Sequence, residues 1–451
     1  MEKSVGIDGF QSKGLVSNVL ENGSPSRYEW LTGETRGVAV HLLNSPSHFQ
    51  GPIYVDSPPD RPFWDDSVKF SFFSEACLDL IRQLNPDIVH VNDWPLGYLL
   101  GQMAAKGLRQ ARVLTIHNVQ YQGNFWEGLL KDNFSMRRLL EEHPMKFRDP
   151  HPQWGCVNAL RLGVECADIV NTVSPTYAHE MTQPPDADRF FAGGCGLEAV
   201  LGGLNQGSLI GILNGFEYNG AATEGAFREA LRAKMRARAQ VAREFSNPER
   251  LLLGFVGRAV EQKLGLLAEV LRGQSVLEHL LAIPGVNIAL LGTGEQRYEK
   301  FLAGIPERRA GGKNYQATLR YDAEKAKLIS KGCDVFLMPS LFEPCGIAQL
   351  ESMANATPPL VRRTGGLADT VVRHTEPGGT GFVFDGGTRE GVLDALVDAV
   401  RDAVGVSAQN PERFLELQWN CFQQRFLWQA SAQRYQSEIY ARVLDLPRAH
   451  A

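Results

Sequence analysis

What the sequence lacks narrows its chemistry first. Its seven cysteines are odd in number and scattered, with no Cys-x-x-Cys pair, which argues against a disulfide framework and against a zinc site. No apolar run approaches the roughly 18 residues needed to span a membrane, and Met1-Glu2-Lys3 leads into no signal-peptide core. A cytoplasmic location and no membrane partner are the default expectations. The Gly292-Thr293-Gly294-Glu295 loop is not a Gly-x-Gly-x-x-Gly fingerprint and has no matching downstream acid, so no redox cofactor is expected. No Asp-x-Asp pair stands in a metal-binding context, and no metal is expected. The formal charge of −5 gives no reason to expect a nucleic acid as partner.

What remains fits a sizeable enzyme. With 451 residues, 43% of them hydrophobic, the chain has material for two or three domains with substantial cores. Short apolar runs at 87–91, 112–116, 168–173, 251–256, 286–292 and 334–340 predict buried parallel strands. Helical patterns and Gly/Pro/Asn-rich turns separate them, the signature of doubly wound α/β units. The pattern breaks near Asn214–Thr223, which predicts domains over 1–214 and 215–425 and a closing helical stretch over 426–451. An Arg/Ala-rich helix is predicted over 227–245, with Phe227, Leu231 and Met235 on its inner face and its arginines in solvent.

The most informative residues lie near the end of the second half. Glu343 sits in a turn formed by Pro344 and Gly346, and Thr364-Gly365-Gly366 opens an apparent helix over 367–374. Glycine lets a backbone approach a ligand closely, and a helix N-terminus offers unpaired N–H groups to an anion. A carboxylate beside such a cradle suggests a site for a sugar joined to a nucleotide diphosphate. Other polar residues follow predicted strands, where ligands of open α/β sheets bind: Asp93 and Trp94 after 87–91, His117 and Asn118 after 112–116, Arg258 and Lys263 after 251–256.

FEPCGIAQL (342–350) and RRTGGLADTV (362–371) resemble the C-terminal signature of bacterial glycogen synthases and plant starch synthases. PDIVHVNDWPLG (86–97), VLTIHNVQYQGNF (113–125), NTVSPTYAHEM (171–181), GCGLEAVL (194–201), ILNG (212–215), GFVGRAVEQKLG (254–265) and YDAEKAKLISKGCDVFLMPS (321–340) continue the series in the family's order. The resemblance runs from about Val38 to Phe384. It implies a GT-B fold, two Rossmann-like domains facing across a cleft, with the last helix crossing back to the first domain. It also implies a retaining enzyme that transfers glucose from ADP-glucose to the non-reducing end of an α-1,4-glucan without a metal.

The resemblance assigns roles residue by residue. Arg258 and Lys263 stabilise the departing ADP, as fixed cations aimed at developing charge do. Glu343 and His117 position the sugar, and Asp93 lies near sugar or acceptor. Asn118 and Asn214 belong to the substrate site, Tyr321 packs near the adenine, and Cys345 and Gly346 complete the Glu343 turn. Thr364, Gly365, Gly366 and Leu367 are expected to donate N–H groups to the diphosphate. Cys345 has no base beside it in sequence and reads as packing. Glu351, eight residues after Glu343, suits either a helix start or a ligand contact.

Departures from the family pattern are specific. Lys263 is followed by Leu264-Gly265 where the family has Gly directly, and Phe216-Glu217-Tyr218 replaces the usual residues after Asn214-Gly215. The family's opening strand and Lys-x-Gly-Gly-Leu loop have no match; Gln11-Ser12-Lys13-Gly14-Leu15 lacks a preceding strand and a second glycine. The N-terminal domain therefore reads as incomplete at its start, which leaves a non-catalytic homologue that binds nucleotide or glucan as the alternative.

Overall fold

The residues ahead of Val38 are not featureless. In this computed structural model, which describes residues 10–19, 25–49, 64–128, 134–151, 155–308 and 313–446, β1 (Gln11–Val19), β2 (Pro25–Thr35) and β3 (Val38–Asn44) form an antiparallel sheet in the order β1-β2-β3. Lys13 and Gly14 lie inside β1, beside a register shift between Ser12 and Gly14, and form no glycine-rich turn after a strand. The sheet packs on the helix Trp64–Leu84, where Phe72 meets Tyr28 edge-on and stacks on His48 at 3.7 Å.

The chain divides into two units. The first holds residues Met1–Asn171, Gly196–Ile210 and Gln436–Ala451; the second holds Thr172–Cys195 and Gly211–Tyr435. The central sheet of the first unit contains β4 (Ile88–Asn92) and β5 (Ala111–Ile116), paired in parallel. Beyond a small antiparallel pair, β6 (Asn124–Trp126) with β7 (Cys156–Asn158), come β8 (Ile169–Thr172) and β9 (Leu209–Gly211). The order is β4-β5-β8-β9, so among the described residues β1–β3 add no strand to it.

A polar relay, buried at Thr115 and Asn171, crosses this sheet. The His90 ring bonds Tyr440 Oη at 2.8 Å and Thr115 Oγ1 at 2.6 Å, and Thr115 Oγ1 donates to Asn171 Oδ1 at 2.6 Å. Because the threonine proton goes to Asn171, we assign His90 Nε2 as donor and Nδ1 as acceptor from the tyrosine. Burial, with the nearby His117 adding to it, lowers the His90 pKa to about 4.

In the second unit, β10 (Leu251–Val256) precedes the short pair β11 (Val270–Leu271) and β12 (Gln274–Ser275). Then follow β13 (Val286–Leu291), β14 (Tyr315–Thr318), β15 (Val335–Met338), β16 (Pro359–Arg362) and β17 (Phe382–Phe384). One parallel sheet takes the order β14-β13-β10-β15-β16-β17. All six residues of β13 are buried, as a strand covered by helices on both faces requires.

Two helix expectations need correction. The Arg/Ala-rich helix spans Glu224–Ala242, capped by Thr223, and its inner face carries Phe227, Lys234, Ala237 and Val241, while Met235 is 69% exposed. Eight residues advance a helix by about 80° beyond two full turns, whereas seven fall only about 20° short, so Lys234 aligns with Phe227 and Met235 does not. The buried Lys234 ammonium bonds Cys333 O and, at 2.7 Å, Thr357 Oγ1. Arg238 pairs with Asp334 at 2.9 Å, so only part of the arginine set is solvated. The helix after Thr364 spans Gly365–Thr370, starting two residues earlier than expected and ending short of His374.

Candidate active site

Lys263 and Glu343 come together in the second unit. Arg258 leaves the carboxyl end of β10 with its side chain exposed, and the helix Glu261–Ala268 that follows carries Lys263. The Lys263 ammonium donates to Glu343 Oε2, which also accepts Ser340 Oγ at 3.2 Å. Gln262 fastens the same helix to the carboxylate's loop. Its side-chain amide donates to Phe342 O at 3.1 Å and its carbonyl accepts Leu341 N–H at 2.8 Å. The inserted Leu264 is buried, so the departure after Lys263 is absorbed by packing. Glu343 is itself buried, and a buried carboxylate needs such partners.

The Gly365–Gly366 turn acts differently from the sequence expectation. Gly366 N–H donates to Glu343 O at 2.9 Å, Leu367 N–H to Thr364 O at 3.1 Å, and Gly365 N–H to the Glu180 carboxylate at 3.0 Å. These N–H groups are engaged within the fold and are not open to a diphosphate. The glycines are needed because the turn presses against the Glu343 loop. Gly365 has φ +44°, and a Cβ on it would lie 2.0 Å from Glu343 O; one on Gly366 would lie 2.1 Å from Cys345 O. The helix Ala348–Ala354 starts without a side-chain cap among the described residues, and the first-turn N–H groups of a helix have no intrahelical partner.

The remaining residues of this unit sort by environment. Gly346 turns at φ +76°, and the buried Gln349 fixes that turn by donating to Cys345 O at 3.0 Å, Gly346 O at 3.1 Å and Thr370 Oγ1 at 3.1 Å. Local sequence carries one signal for Gln349, a glutamine in the first helical turn after a glycine. Burial pushes the Cys345 thiol up to about 11, outweighing the Asn214 backbone N–H that reaches its sulfur, so Asn214 and Cys345 are neighbours. Phe216 and Tyr218 accept a structural task, since Phe216 N–H donates to Phe426 O at 2.7 Å and Tyr218 Oη accepts Phe426 N–H at 3.1 Å. Tyr321 is 88% exposed ahead of the helix Ala323–Gly332. Glu351 is exposed in the first turn of its helix, where its charge suits the macrodipole. Gly292 and Gly294 lie against the Gly257–Ala259 turn, where a Cβ on Gly292 would sit 2.1 Å from Gly257 O.

In the first unit, Asp93, His117 and Asn118 meet where β4 and β5 end. Asp93 adopts φ 57°, ψ −174°, a conformation that costs a non-glycine residue about 1–3 kcal/mol and persists where surrounding structure enforces it. Its Oδ1 accepts His117 N–H at 2.7 Å, and its own N–H donates to Thr115 O at 2.8 Å. The Asp93 carboxylate thus joins the ends of the two strands. Burial raises its pKa, against the lowering effects of His117 and of the Asn118 N–H. The His117 ring bonds Asn92 Oδ1 at 2.9 Å, and Asn118 Oδ1 accepts Gln120 N–H at 3.0 Å. Among the described residues, no group of three or more His, Cys, Asp or Glu is placed to hold a metal ion.

Two Rossmann-like α/β units with polar residues gathered at the carboxyl ends of their parallel strands define a GT-B glycosyltransferase. The comparisons with known proteins agree. A family model described as the starch synthase catalytic domain matches residues 10–203, and one described as glycosyl transferases group 1 matches residues 238–413. The family match therefore begins well ahead of Val38. The chain is 32% identical over 457 residues to a glycogen synthase of Mannheimia succiniciproducens, covering 96% of this chain and 90% of that protein. It is 36% identical over 392 residues to a glycogen synthase of Desulfitobacterium hafniense, covering 83% and 77%. The catalytic domain of Starch Synthase IV from Arabidopsis thaliana, bound to ADP and acarbose, matches with a TM-score of 0.75 and 26% identity, covering 97% of this chain and 89% of that one. A sucrose-phosphate synthase from Thermosynechococcus elongatus, at TM-score 0.54 and 18% identity, shares the fold, over 89% of this chain and 83% of that one. The chain belongs to the glycogen synthase and starch synthase family, and it is an enzyme that transfers glucosyl groups in glycogen or starch synthesis.

Proposed function

We propose that the chain moves glucose from ADP-glucose to the non-reducing end of an α-1,4-glucan with retention of configuration, by front-side attack and without a covalent enzyme intermediate. The observation that carries this reading is the Lys263–Glu343 pair, fastened through Gln262 on one side and Gly366 on the other. Breaking a sugar–diphosphate bond builds negative charge on the leaving group and positive charge at the anomeric carbon. Lys263 and Arg258 answer the first charge and Glu343 the second, with Lys263 and Glu343 held in place before reaction. The start of the helix Ala348–Ala354 supplies N–H donors suited to the diphosphate, and the exposed Tyr321 ring offers a face for the adenine. His117, ordered by Asp93 and Asn92, is the group given to the sugar, with Asn118 and Asn214 as substrate contacts. ADP as the donor's nucleotide is supported by the ADP-bound starch synthase likeness, and a cytoplasmic location by the bacterial glycogen synthase relatives. ADP release from ADP-glucose with glycogen, with UDP-glucose run in parallel, tests the reading. Glucan-dependent release from ADP-glucose supports it; release from UDP-glucose alone, or release indifferent to glucan, overturns it.

A further inference from the structure

Residues Thr172–Cys195 pack within the second unit, and three polar links hold this strap to the corner that β16 makes with the helix Gly365–Thr370. The Glu180 carboxylate, at the end of the helix Pro175–Glu180, accepts Gly365 N–H at 3.0 Å and Thr364 Oγ1 at 3.1 and 3.2 Å. In the opposite sense, the Asp369 carboxylate accepts Thr176 N–H at 2.9 Å and Thr176 Oγ1 at 2.6 Å. The first turn of each short helix therefore donates to a carboxylate carried by the other. The Arg362 guanidinium closes the third link by donating to Arg189 O and, at 2.8 Å, to Phe190 O, while its other contact is Leu341 O at 2.6 Å.

Two of these links reach the Glu343 loop: Arg362 bonds Leu341 O ahead of the carboxylate, and Glu180 leads to the backbone of Glu343 itself. Glu180 holds Gly365 N–H; Gly365 is held at φ +44° with its Cα face against Glu343 O; the next N–H, of Gly366, bonds that same carbonyl. We infer that Glu180 is a positioning residue for the transfer reaction: it orders the Thr364–Gly366 turn, and through Gly366 it fixes the backbone that carries Glu343. The Thr176–Asp369 link secures the strap without touching that turn. A carboxylate is suited to the task because it takes the backbone and hydroxyl donors together, and charge-assisted bonds of this kind are shorter and stronger than neutral ones. Its effect falls on turnover, since a small displacement of a reacting group costs rate steeply.

This inference rests on the role given to Glu343 above, and the test separates the two. Purified Glu180→Ala, Glu180→Gln, Thr176→Val and Glu343→Ala are compared for kcat, donor KM and Tm with ADP-glucose and glycogen. Glu180→Ala is expected to lower kcat about tenfold or more while donor KM stays within about threefold. Glu180→Gln, which keeps an acceptor oxygen for Gly365 N–H, restores most of the loss. Thr176→Val lowers Tm yet keeps kcat. Should Glu180→Ala not fold, Glu180→Asp, with its carboxylate drawn back by one methylene, carries the same expectation. Normal kcat in Glu180→Ala or Glu180→Asp overturns the inference, as does an equal loss of kcat in Thr176→Val. If Glu343→Ala is inactive while the Glu180 variants are unimpaired, the inference alone fails; if Glu343→Ala keeps full turnover, both fail.

Discussion

The ammonium of Lys263 is bonded to the carboxylate of Glu343, in a chain that separates them by 80 residues. The pair joins the helix after β10 to the loop after β15, at the carboxyl ends of adjacent strands. Each side chain orients the other in a partly buried setting, which is how fixed charge becomes effective in a transition state. Glu343→Ala should therefore lower kcat by about a hundredfold or more while donor affinity changes far less. Steady-state kinetics with a separate donor-binding titration checks this; equal losses in both would remove Glu343 from the transition state.

Gly366 makes a sharper structural prediction. A Cβ there would lie 2.1 Å from Cys345 O and 2.5 Å from Cys345 Cα, backbone atoms that cannot swing aside as the end of a side chain can. Gly366→Ala should cost about 2 kcal/mol or more of stability and displace the Glu343 loop. Denaturant unfolding reads the first effect and kcat the second. A variant with unchanged midpoint and turnover would show that the turn is not packed as described.

Cys345 offers a chemical test. Its buried thiol, with a pKa pushed up to about 11, is almost wholly protonated at pH 7.5, and the thiolate is the reactive form. Iodoacetamide at that pH should leave activity intact over a period in which free cysteine is consumed, and mass spectrometry should find Cys345 unmodified in the native protein. Rapid alkylation there, with loss of activity, would contradict the burial.

His90 sets a pH dependence of stability. Its pKa falls from 6.5 to about 4 in the folded protein, so between those values the unfolded chain binds more protons than the folded one. Stability contributed by the neutral ring is complete above about pH 6.5 and is lost as pH falls toward 4, at most ~3 kcal/mol over the window. Tm measured from pH 7 to pH 4 should fall more steeply for the native sequence than for His90→Gln. Parallel curves would show that another group governs acid unfolding.

How much of this was legible before the structure depends on how far each feature reaches along the chain. The six apolar runs became strands because burial on both faces leaves an apolar record, whereas β16 is bounded by Pro359 and Arg362 and β17 is only three residues long. The antiparallel β1–β3 sheet lacks such a record because its faces are only partly covered. Residue types around Glu343 marked a tight turn beside a glycine-opened helix, and Asp93, His117 and Asn118 fell at strand ends as expected. The engagement of the Gly365 N–H by Glu180, 185 residues away, was invisible to local pattern; no spacing rule connects them. The Met235 and Lys234 exchange was legible in principle, by counting angle along the helix instead of steps of four.

The measurement that bears most directly on the central claim is the linkage made when ADP-glucose labelled with carbon-13 in its glucose is given to the purified chain with a short maltooligosaccharide. The account predicts ADP release matched by labelled glucose at the non-reducing end, joined by an α-1,4 bond visible in the anomeric region of the NMR spectrum. A β linkage, or label released as free glucose without chain extension, would contradict it.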